Sequence, residues 1–201
     1  MPSRDLRLIF FGDSLVNGAC DPEMLGWCGR LSRLTAAHTP EVTHYNLGVR
    51  HQTSRELAAR FRAELAIRLA GDFEKRAVIS IGFNDTVLEN GIPRVPPADS
   101  RAALEEMLAA AAECACPVLV VAPPTATEAA QADRIRALAE AQEQICAARG
   151  APFIPGHALT AASPVWLHEA AGNDGYHPRA AAYAALAEAI FRTPEWTRFT
   201  A

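Results

Sequence analysis

The sequence lacks a hydrophobic segment long enough to cross a membrane or to act as a secretory signal. Its longest early apolar run, residues 8–11, stops at Gly12, far short of the roughly 20 residues that span a bilayer. Basic residues are not in excess either, since 19 Lys and Arg face 23 Asp and Glu and the net charge is −4. Export, membrane insertion and nucleic-acid binding are therefore not expected.

Cysteine is sparse, and its positions form neither a disulfide framework nor a zinc site. The number, five, is odd and the spacing is irregular, whereas disulfide-rich domains carry an even set. Cys114 and Cys116 stand too close for a zinc knuckle and have no histidine nearby to complete four ligands. We expect free thiols, no metal, no cofactor and a cytoplasmic location. The five positions are Cys20, Cys28, Cys114, Cys116 and Cys146.

The length and the hydrophobic pattern predict one α/β domain over residues 1–201. A chain of 201 residues that is 50% hydrophobic can bury a full core. Short apolar runs alternate with segments of helical spacing, which is typical of a parallel sheet covered by helices on both faces. We expect about five parallel strands. The predicted strands are residues 6–11, 42–47, 77–81, 118–121 and 153–154.

Helices are predicted between these runs from apolar spacing and from their end signals. Thr53 and Glu56 match a capping box that opens the second helix. Pro178 is expected in the first turn of the last one, and Gly150 is expected to end the one before it. Trp27 lies at helical spacing and is expected in the core. The predicted helices cover residues 24–34, 54–69, about 99–112, 135–149 and 178–190.

Polar residues and glycines follow the predicted strands at the points where the apolar runs stop. In an open parallel sheet, ligands bind at the carboxyl ends of the strands, so these residues are the candidates for a functional site. The blocks are Gly-Asp-Ser-Leu at 12–15, Asn-Leu-Gly at 46–48 and Gly-Phe-Asn-Asp at 82–85, with Asp-Gly-Tyr-His-Pro at 174–178 near the C-terminus.

A serine, a histidine and an aspartate in these blocks predict a nucleophilic triad. Ser14 can attack a carbonyl if a base takes its proton, and His177 is the expected base. Asp174, three residues earlier, can hold the other ring nitrogen and favour the imidazolium. The new oxyanion needs hydrogen-bond donors, which we expect from the Ser14 and Gly48 backbone N–H groups and the Asn84 side chain.

Four other motif residues are expected to hold the loops rather than to take part in the chemistry. Gly12 and Gly82 permit tight backbone turns. Asp13 and Asp85 are expected to accept hydrogen bonds from nearby backbone N–H groups. Asp13 is therefore not expected to be the acid of the triad, even though it stands next to the nucleophile.

Two apolar positions are predicted to line a substrate pocket. Leu88 lies in the long loop after the third block, and Trp166 lies in an irregular stretch before the last one, where core packing is an open alternative. The other histidines lack an acid at the same spacing, and we expect surface or core positions for them. His51, three residues beyond Gly48, is the one that could also line the pocket.

The blocks, in this order and at these strand ends, resemble the SGNH hydrolases, also called the GDSL esterase and lipase family. The four letters correspond here to Ser14, Gly48, Asn84 and His177. The resemblance spans residues 6–178 and implies a flavodoxin-like three-layer α/β/α fold that hydrolyses esters or thioesters through an acyl-enzyme without a metal. The G-x-S-x-G elbow of the α/β-hydrolases, the dinucleotide fingerprint and the P-loop are all missing from the sequence.

We therefore expect a serine hydrolase that cleaves small or short-acyl carboxylic esters, with a small molecule as its partner. Acetylated sugars, thioesters and lysophospholipids all fit the same machinery. Two alternatives stay open: an acyltransferase that passes the acyl group to an alcohol, and a binding protein that keeps the fold without turnover. Nothing in the sequence determines the native substrate or the oligomeric state.

Overall fold

The computed structural model describes residues 5–39 and 41–201 and contains a five-stranded parallel sheet. All neighbouring strands of this sheet pair in parallel. A short antiparallel hairpin follows the third strand and consists of β4 (Leu88–Glu89) and β5 (Ile92–Pro93). The strands of the main sheet are, in spatial order, β2 (Glu41–Gly48), β1 (Asp5–Gly12), β3 (Glu74–Ser80), β6 (Val118–Val121) and β7 (Phe153–Ile154).

Helices connect the strands, and several begin at side chains that cap them. Thr53 and Glu56 form the predicted capping box of the third helix, which satisfies backbone N–H groups that have no partner within the helix. A single 3-10 turn spans Asn84–Thr86. The α-helices are α1 (Ser14–Asn17), α2 (Gly26–Ala36), α3 (Ser54–Arg68), α4 (Pro97–Glu113), α5 (Ala129–Arg149), α6 (Gly156–Ala161), α7 (Pro164–Ala171), α8 (Ala180–Phe191) and α9 (Pro194–Thr200).

The sheet separates two hydrophobic cores, because successive side chains of a strand point to opposite faces. In β1, Leu8 and Phe10 belong to one core together with residues of α2, α7, α8 and α9. Ile9 and Phe11 belong to the other core, which α3, α4 and α5 cover. The predicted α/β class and its three layers are confirmed. None of the helices in the described part of the chain is both long and apolar enough to span a membrane.

The region before the last block is helical, not irregular as predicted. Ser163 caps α7 by accepting a hydrogen bond from the Trp166 N–H at 3.4 Å. The Trp166 side chain is 0% exposed and belongs to the first core, and its indole N–H donates to the Thr125 carbonyl oxygen at 3.3 Å. The prediction that Trp166 lines a substrate pocket is therefore wrong, because the ring is used in packing.

The last long helix also begins later than predicted, at Ala180 instead of Pro178. Its N-terminus is capped from outside by Glu169 of α7. The Glu169 carboxylate accepts hydrogen bonds from the backbone N–H groups of Arg179 at 2.9 Å and Ala182 at 3.0 Å. This contact joins α7 and α8 on either side of the loop that carries the fourth sequence block.

Candidate active site

The turn between β1 and α1 presents Ser14 at the carboxyl end of the sheet. Asp13 caps α1, and its side chain accepts a hydrogen bond from the Leu15 N–H at 2.9 Å. Gly12 permits close approach of the neighbouring strand, since a Cβ at this position would lie 2.1 Å from the Ser80 carbonyl oxygen. The tight strand-to-helix junction thus determines where the Ser14 hydroxyl lies.

Ser14, His177 and Asp174 form a continuous hydrogen-bonded chain. The distance from His177 Nε2 to Ser14 Oγ is 2.7 Å, and the distance from His177 Nδ1 to Asp174 Oδ2 is 2.6 Å. The other carboxylate oxygen of Asp174 accepts hydrogen bonds from the backbone N–H groups of Tyr176 at 3.0 Å and His177 at 2.8 Å. One aspartate therefore orients both the ring and the backbone of the histidine.

The two aspartates near Ser14 have opposite electrostatic environments. Partial burial acts to raise the pKa of Asp174, but hydrogen bonds from His177 and Tyr176 outweigh it and hold that pKa below its usual value. Burial raises the pKa of Asp13 to about 7, and the Asp85 carboxylate adds to the effect. Asp174 is consequently the carboxylate that carries a negative charge beside the imidazole at neutral pH.

Further contacts hold the loop that carries Asp174 and His177. Asn173 donates a side-chain hydrogen bond to the His177 carbonyl oxygen at 2.9 Å, and Thr127 donates one to the Gly175 carbonyl oxygen at 2.9 Å. Sequence reasoning missed both residues. Asn173 directly precedes the fourth block, which is a usable signal, but Thr127 is distant in sequence and carries no local mark.

Asn84 lies beside the nucleophile turn in the 3-10 turn after β3. Its side-chain amide donates to the Gln52 carbonyl oxygen at 3.0 Å and lies 3.5 Å from Asp13 Oδ2. The second contact is at the outer limit of a hydrogen bond. The amide hydrogen that faces Asp13 is therefore only weakly bound, and an acceptor placed closer to it can take this hydrogen while the bond to Gln52 is kept.

Gly48 has a different role from the one predicted. Its backbone N–H donates to the Asn46 side-chain oxygen at 3.0 Å, so it is not free to bind an oxyanion, and that prediction is contradicted. The residue instead permits close packing, because a Cβ on Gly48 would lie 2.2 Å from the Asn17 nitrogen and 2.6 Å from the Asp13 carbonyl oxygen. The short spacing from Asn46 to Gly48 is a known side-chain-to-backbone pattern that the sequence already displayed.

Free backbone donors lie later in the same loop. Within residues 5–39 and 41–201, no acceptor contacts the N–H groups of Arg50 and His51. His51 has a φ of +63°, a left-handed conformation that is costly for a residue other than glycine. The carbonyl oxygen of the next residue, Gln52, accepts a hydrogen bond from the Asn84 side chain, so the His51 amide is one residue away from a group that contacts Asn84.

The remaining motif residues hold the backbone around the site or lie at its edge. Asp85 is buried and accepts hydrogen bonds from the Ser54 N–H at 2.8 Å and the Ser100 hydroxyl at 2.7 Å. Gly82 has a φ of +118°, which glycine adopts readily. Leu88 is 43% exposed on the β4 strand, and its contact with a substrate stays a prediction.

One cysteine lies beside the histidine and aspartate. All five cysteines are free thiols, and ligand atoms of Cys20, Asp174 and His177 lie within 4.8 Å of one another. Sequence reasoning treated Cys20 as idle. Its position depends on tertiary contacts, since it lies 154 positions before Asp174 in the sequence.

Comparisons with known proteins agree with this fold. A model of the GDSL-like lipase/acylhydrolase family matches residues 10–185. The lipase/acylhydrolase of Enterococcus faecalis is 25% identical, with 94% of this chain and 95% of that chain covered and a TM-score of 0.75. A search of curated protein sequences finds no match.

Two further solved structures show the same fold at lower identity. An acetylxylan esterase from Geobacillus stearothermophilus is 18% identical, with 96% of this chain and 95% of that chain covered and a TM-score of 0.74. A lipolytic protein of the G-D-S-L family from Desulfitobacterium hafniense DCB-2 is 19% identical, with 92% and 98% covered and a TM-score of 0.75. The similarity extends over nearly the whole chain.

Proposed function

Because the chain belongs to the GDSL-like lipase/acylhydrolase family, we propose that it is a serine esterase that acts on small or short-acyl carboxylic esters. The observation that carries this proposal is the chain of hydrogen bonds Asp174–His177–Ser14, with distances of 2.6 and 2.7 Å. A serine with its base and the base with its acid are the minimum set for acyl transfer through a covalent intermediate.

The hydrogen bonds define the order of proton transfers. His177 Nε2 takes the Ser14 proton as Oγ attacks the carbonyl carbon, and the ionised Asp174 stabilises the imidazolium that forms. The imidazolium then donates this proton to the leaving alcohol as the acyl-enzyme forms. In the second half, His177 takes a proton from water as the hydroxyl attacks the acyl carbon. The imidazolium then returns this proton to Ser14 Oγ as the bond from Oγ to the acyl carbon breaks, which releases the free acid and restores the neutral imidazole.

Three donors are proposed for the oxyanion. The Ser14 N–H lies in the first turn of α1, where backbone N–H groups have no acceptor within the helix. The Asn84 amide can exchange its long contact with Asp13 for the developing negative charge. We assign the third donor to the His51 N–H in place of Gly48, because this amide is free and its backbone is held in a strained conformation. Loss of one such donor typically costs about 100- to 1,000-fold in turnover.

The similarity to an acetylxylan esterase makes acetyl esters, including acetylated sugars, the first substrates to examine. Thioesters and longer acyl chains belong in the same series. We also propose that the protein works in the cytoplasm, since its five cysteines are free thiols, as is usual in a reducing compartment.

The test is a screen of acyl-chain length and leaving group with the wild type beside Ser14→Ala. We expect turnover of short-acyl esters by the wild type, covalent labelling of Ser14 by a fluorophosphonate, and loss of both in the variant. Esterase turnover retained by pure, folded Ser14→Ala would refute the mechanism. Absence of turnover and of labelling in the wild type would favour a binding protein. Ester products formed with an added alcohol would identify an acyltransferase.

A further inference from the structure

The Cys20 thiol lies at the rim of the candidate site and is held there by the fold. It follows α1 in a left-handed conformation, with a φ of +67°, and is exposed. The carbonyl oxygen of the preceding Ala19 accepts a hydrogen bond from the Tyr183 hydroxyl of α8 at 2.9 Å. Since α8 directly follows the loop of His177, this bond links the segment that carries Cys20 to the helix after that loop.

Three different ligand types converge at this point. A sulfur of Cys20, an oxygen of Asp174 and a ring nitrogen of His177 lie within 4.8 Å of one another. Ligands around a tetrahedral Zn²⁺ lie roughly 3 to 4 Å apart, given bonds of about 2.3 Å to sulfur and about 2.0–2.2 Å to nitrogen and oxygen. Displacements of the ligand atoms by about 1 Å, through side-chain rotation, would therefore suffice for all three to bind one ion.

We propose that Cys20, Asp174 and His177 form an inhibitory site for a borderline or soft divalent metal ion such as Zn²⁺ or Cd²⁺. A sulfur, a nitrogen and one carboxylate suit these ions, whereas Mg²⁺ and Ca²⁺ prefer a set of oxygen ligands. The Asp174 side chain is 42% exposed and Cys20 faces solvent. The ion can thus enter from solution, and water completes its coordination.

Binding of the ion removes the base, whichever ring nitrogen it uses. A neutral imidazole has one lone pair, which in the resting triad lies on Nε2 and faces Ser14. If the metal binds Nε2, it occupies that lone pair directly. If it binds Nδ1, the ring proton moves to Nε2, which can then no longer accept the Ser14 proton. In both cases the Cys20 thiol releases its proton to solvent as the metal–sulfur bond forms.

The inhibition rests on the proposed function, but the binding does not, so each is measured separately. Binding is measured by calorimetric titration of ZnCl₂ into Ser14→Ala, which keeps all three ligands, and into the double variant Ser14→Ala/Cys20→Ser. Inhibition is measured by ZnCl₂ titration of ester hydrolysis in the wild type and in Cys20→Ser. Cys114→Ser is the matched control, because Cys114 is a free thiol at the end of α4, four residues before β6 begins.

We expect Cys20→Ser to weaken Zn²⁺ binding by at least about tenfold, the lower end of the cost of disturbing a metal ligand shell. The concentration for half inhibition, measured relative to the turnover of each protein without added metal, should rise by the same factor, and Cys114→Ser should match the wild type. MgCl₂ should not inhibit, and EDTA should restore activity. Equal Zn²⁺ affinity with and without Cys20 would overturn the site. A wild type without esterase turnover would refute the proposed function and leave the calorimetric result valid.

Discussion

The two loops that carry the proposed triad are held in place by different kinds of contact. Ser14 follows an interior strand, and backbone atoms from its neighbours crowd it. A Cβ on Gly12 would lie 2.1 Å from the Ser80 oxygen, and one on Gly48 would lie 2.6 Å from the Asp13 oxygen. The position of Ser14 thus depends on the register of three strands, which is a property of the whole fold.

The loop of Asp174 and His177 is held largely by its own hydrogen bonds. Asp174 binds the Tyr176 and His177 amides, and Asn173 binds the His177 carbonyl oxygen. These bonds join residues no more than four positions apart. Asp174 and His177 are therefore positioned locally, and the sheet brings this loop to Ser14. Changes in the nucleophile turn should disturb stability and activity together, whereas changes in the second loop should affect activity alone.

Asp174→Asn should lower activity strongly while it leaves stability almost unchanged, and this is the largest such difference that we expect. The Asn side-chain oxygen can still accept from the Tyr176 and His177 amides, but its NH₂ group cannot accept from the His177 ring. We expect turnover to fall about 10⁴-fold, as for the acid of a serine triad, with little change in the unfolding temperature. Ester hydrolysis and thermal unfolding, with exposed Asp133→Asn as control, test this. Activity within tenfold of the wild type would contradict the assigned role.

Asp13→Asn tests how much the ionisation of the buried Asp13 carboxyl lowers the free energy of unfolding. Burial raises the pKa of Asp13 from 3.8 to about 7, so the folded chain keeps a proton that the unfolded chain releases near its usual pKa. The contribution of this group to the free energy of unfolding is highest at low pH and falls as pH rises from about 4 to about 7. Asn does not ionise. The free energy of unfolding of the variant, relative to that of the wild type, should therefore rise by on the order of 4 kcal/mol over that range.

The measurement for Asp13→Asn is urea unfolding of both proteins between pH 4.5 and pH 8. Asp72→Asn, which replaces an exposed carboxylate, is the control and should show no such trend. A difference between Asp13→Asn and the wild type that stays constant with pH would show that Asp13 ionises normally in the folded protein.

Gly12→Ala should damage the fold and the site together. The new Cβ would lie 2.1 Å from the Ser80 oxygen and 2.4 Å from Val16 Cγ2, and overpacking of this kind typically costs about 1–3 kcal/mol. A shift of Ser14 by about 1 Å should also lower turnover by about 100-fold. Urea unfolding and ester hydrolysis measure the two effects.

Gly172→Ala is the matched control in the other loop. Its Cβ would come no closer than 3.3 Å, to the His168 carbonyl oxygen, and its φ of −75° suits alanine. We expect stability and turnover near those of the wild type. If both glycine variants lost stability equally, the contrast between the two loops would be wrong.

Thr127→Val should have the smallest effect of the four. The change removes the hydrogen bond to the Gly175 oxygen, which is 2.9 Å long, from a carbonyl that water can reach. A lost bond of about 1 kcal/mol corresponds to a decrease of roughly fivefold in kcat. Steady-state kinetics measure it, with Thr197→Val, an exposed helix residue, as control. Unchanged kcat would mean that the loop needs no external support.

The sheet was predictable because strands carry a local signal. The predicted runs 118–121 and 153–154 coincide with β6 and β7. β3 begins three residues earlier than predicted, at Glu74, because charged residues at the start of a strand interrupt the apolar run without ending the backbone ladder. The pairs Ser163–Pro164 and Thr193–Pro194 mark the starts of α7 and α9, and this capping signal was present but unused.

The sequence predicted which blocks come together at the candidate site. It did not predict their hydrogen-bond partners, the burial of side chains or the contacts between distant segments. Motif order indicates the strand ends, but it does not say which backbone N–H already has a partner. The Gly48 N–H was therefore predicted to bind the oxyanion, although it donates to the Asn46 side-chain oxygen. Burial of Trp166 depends on α7 and α8 packing on the sheet, which its own position does not reveal. The approach of Cys20 to His177 likewise depends on contacts between distant segments.

The distribution of the tryptophans has a spectroscopic consequence. Trp27, Trp166 and Trp196 are at most 1% exposed and all belong to the core that α2, α7, α8 and α9 cover. Indole emission therefore originates from a single side of the sheet, and loosening of the α3, α4 and α5 layer would change it little. A fluorescence melt monitors one half of this molecule, while circular dichroism at 222 nm monitors both.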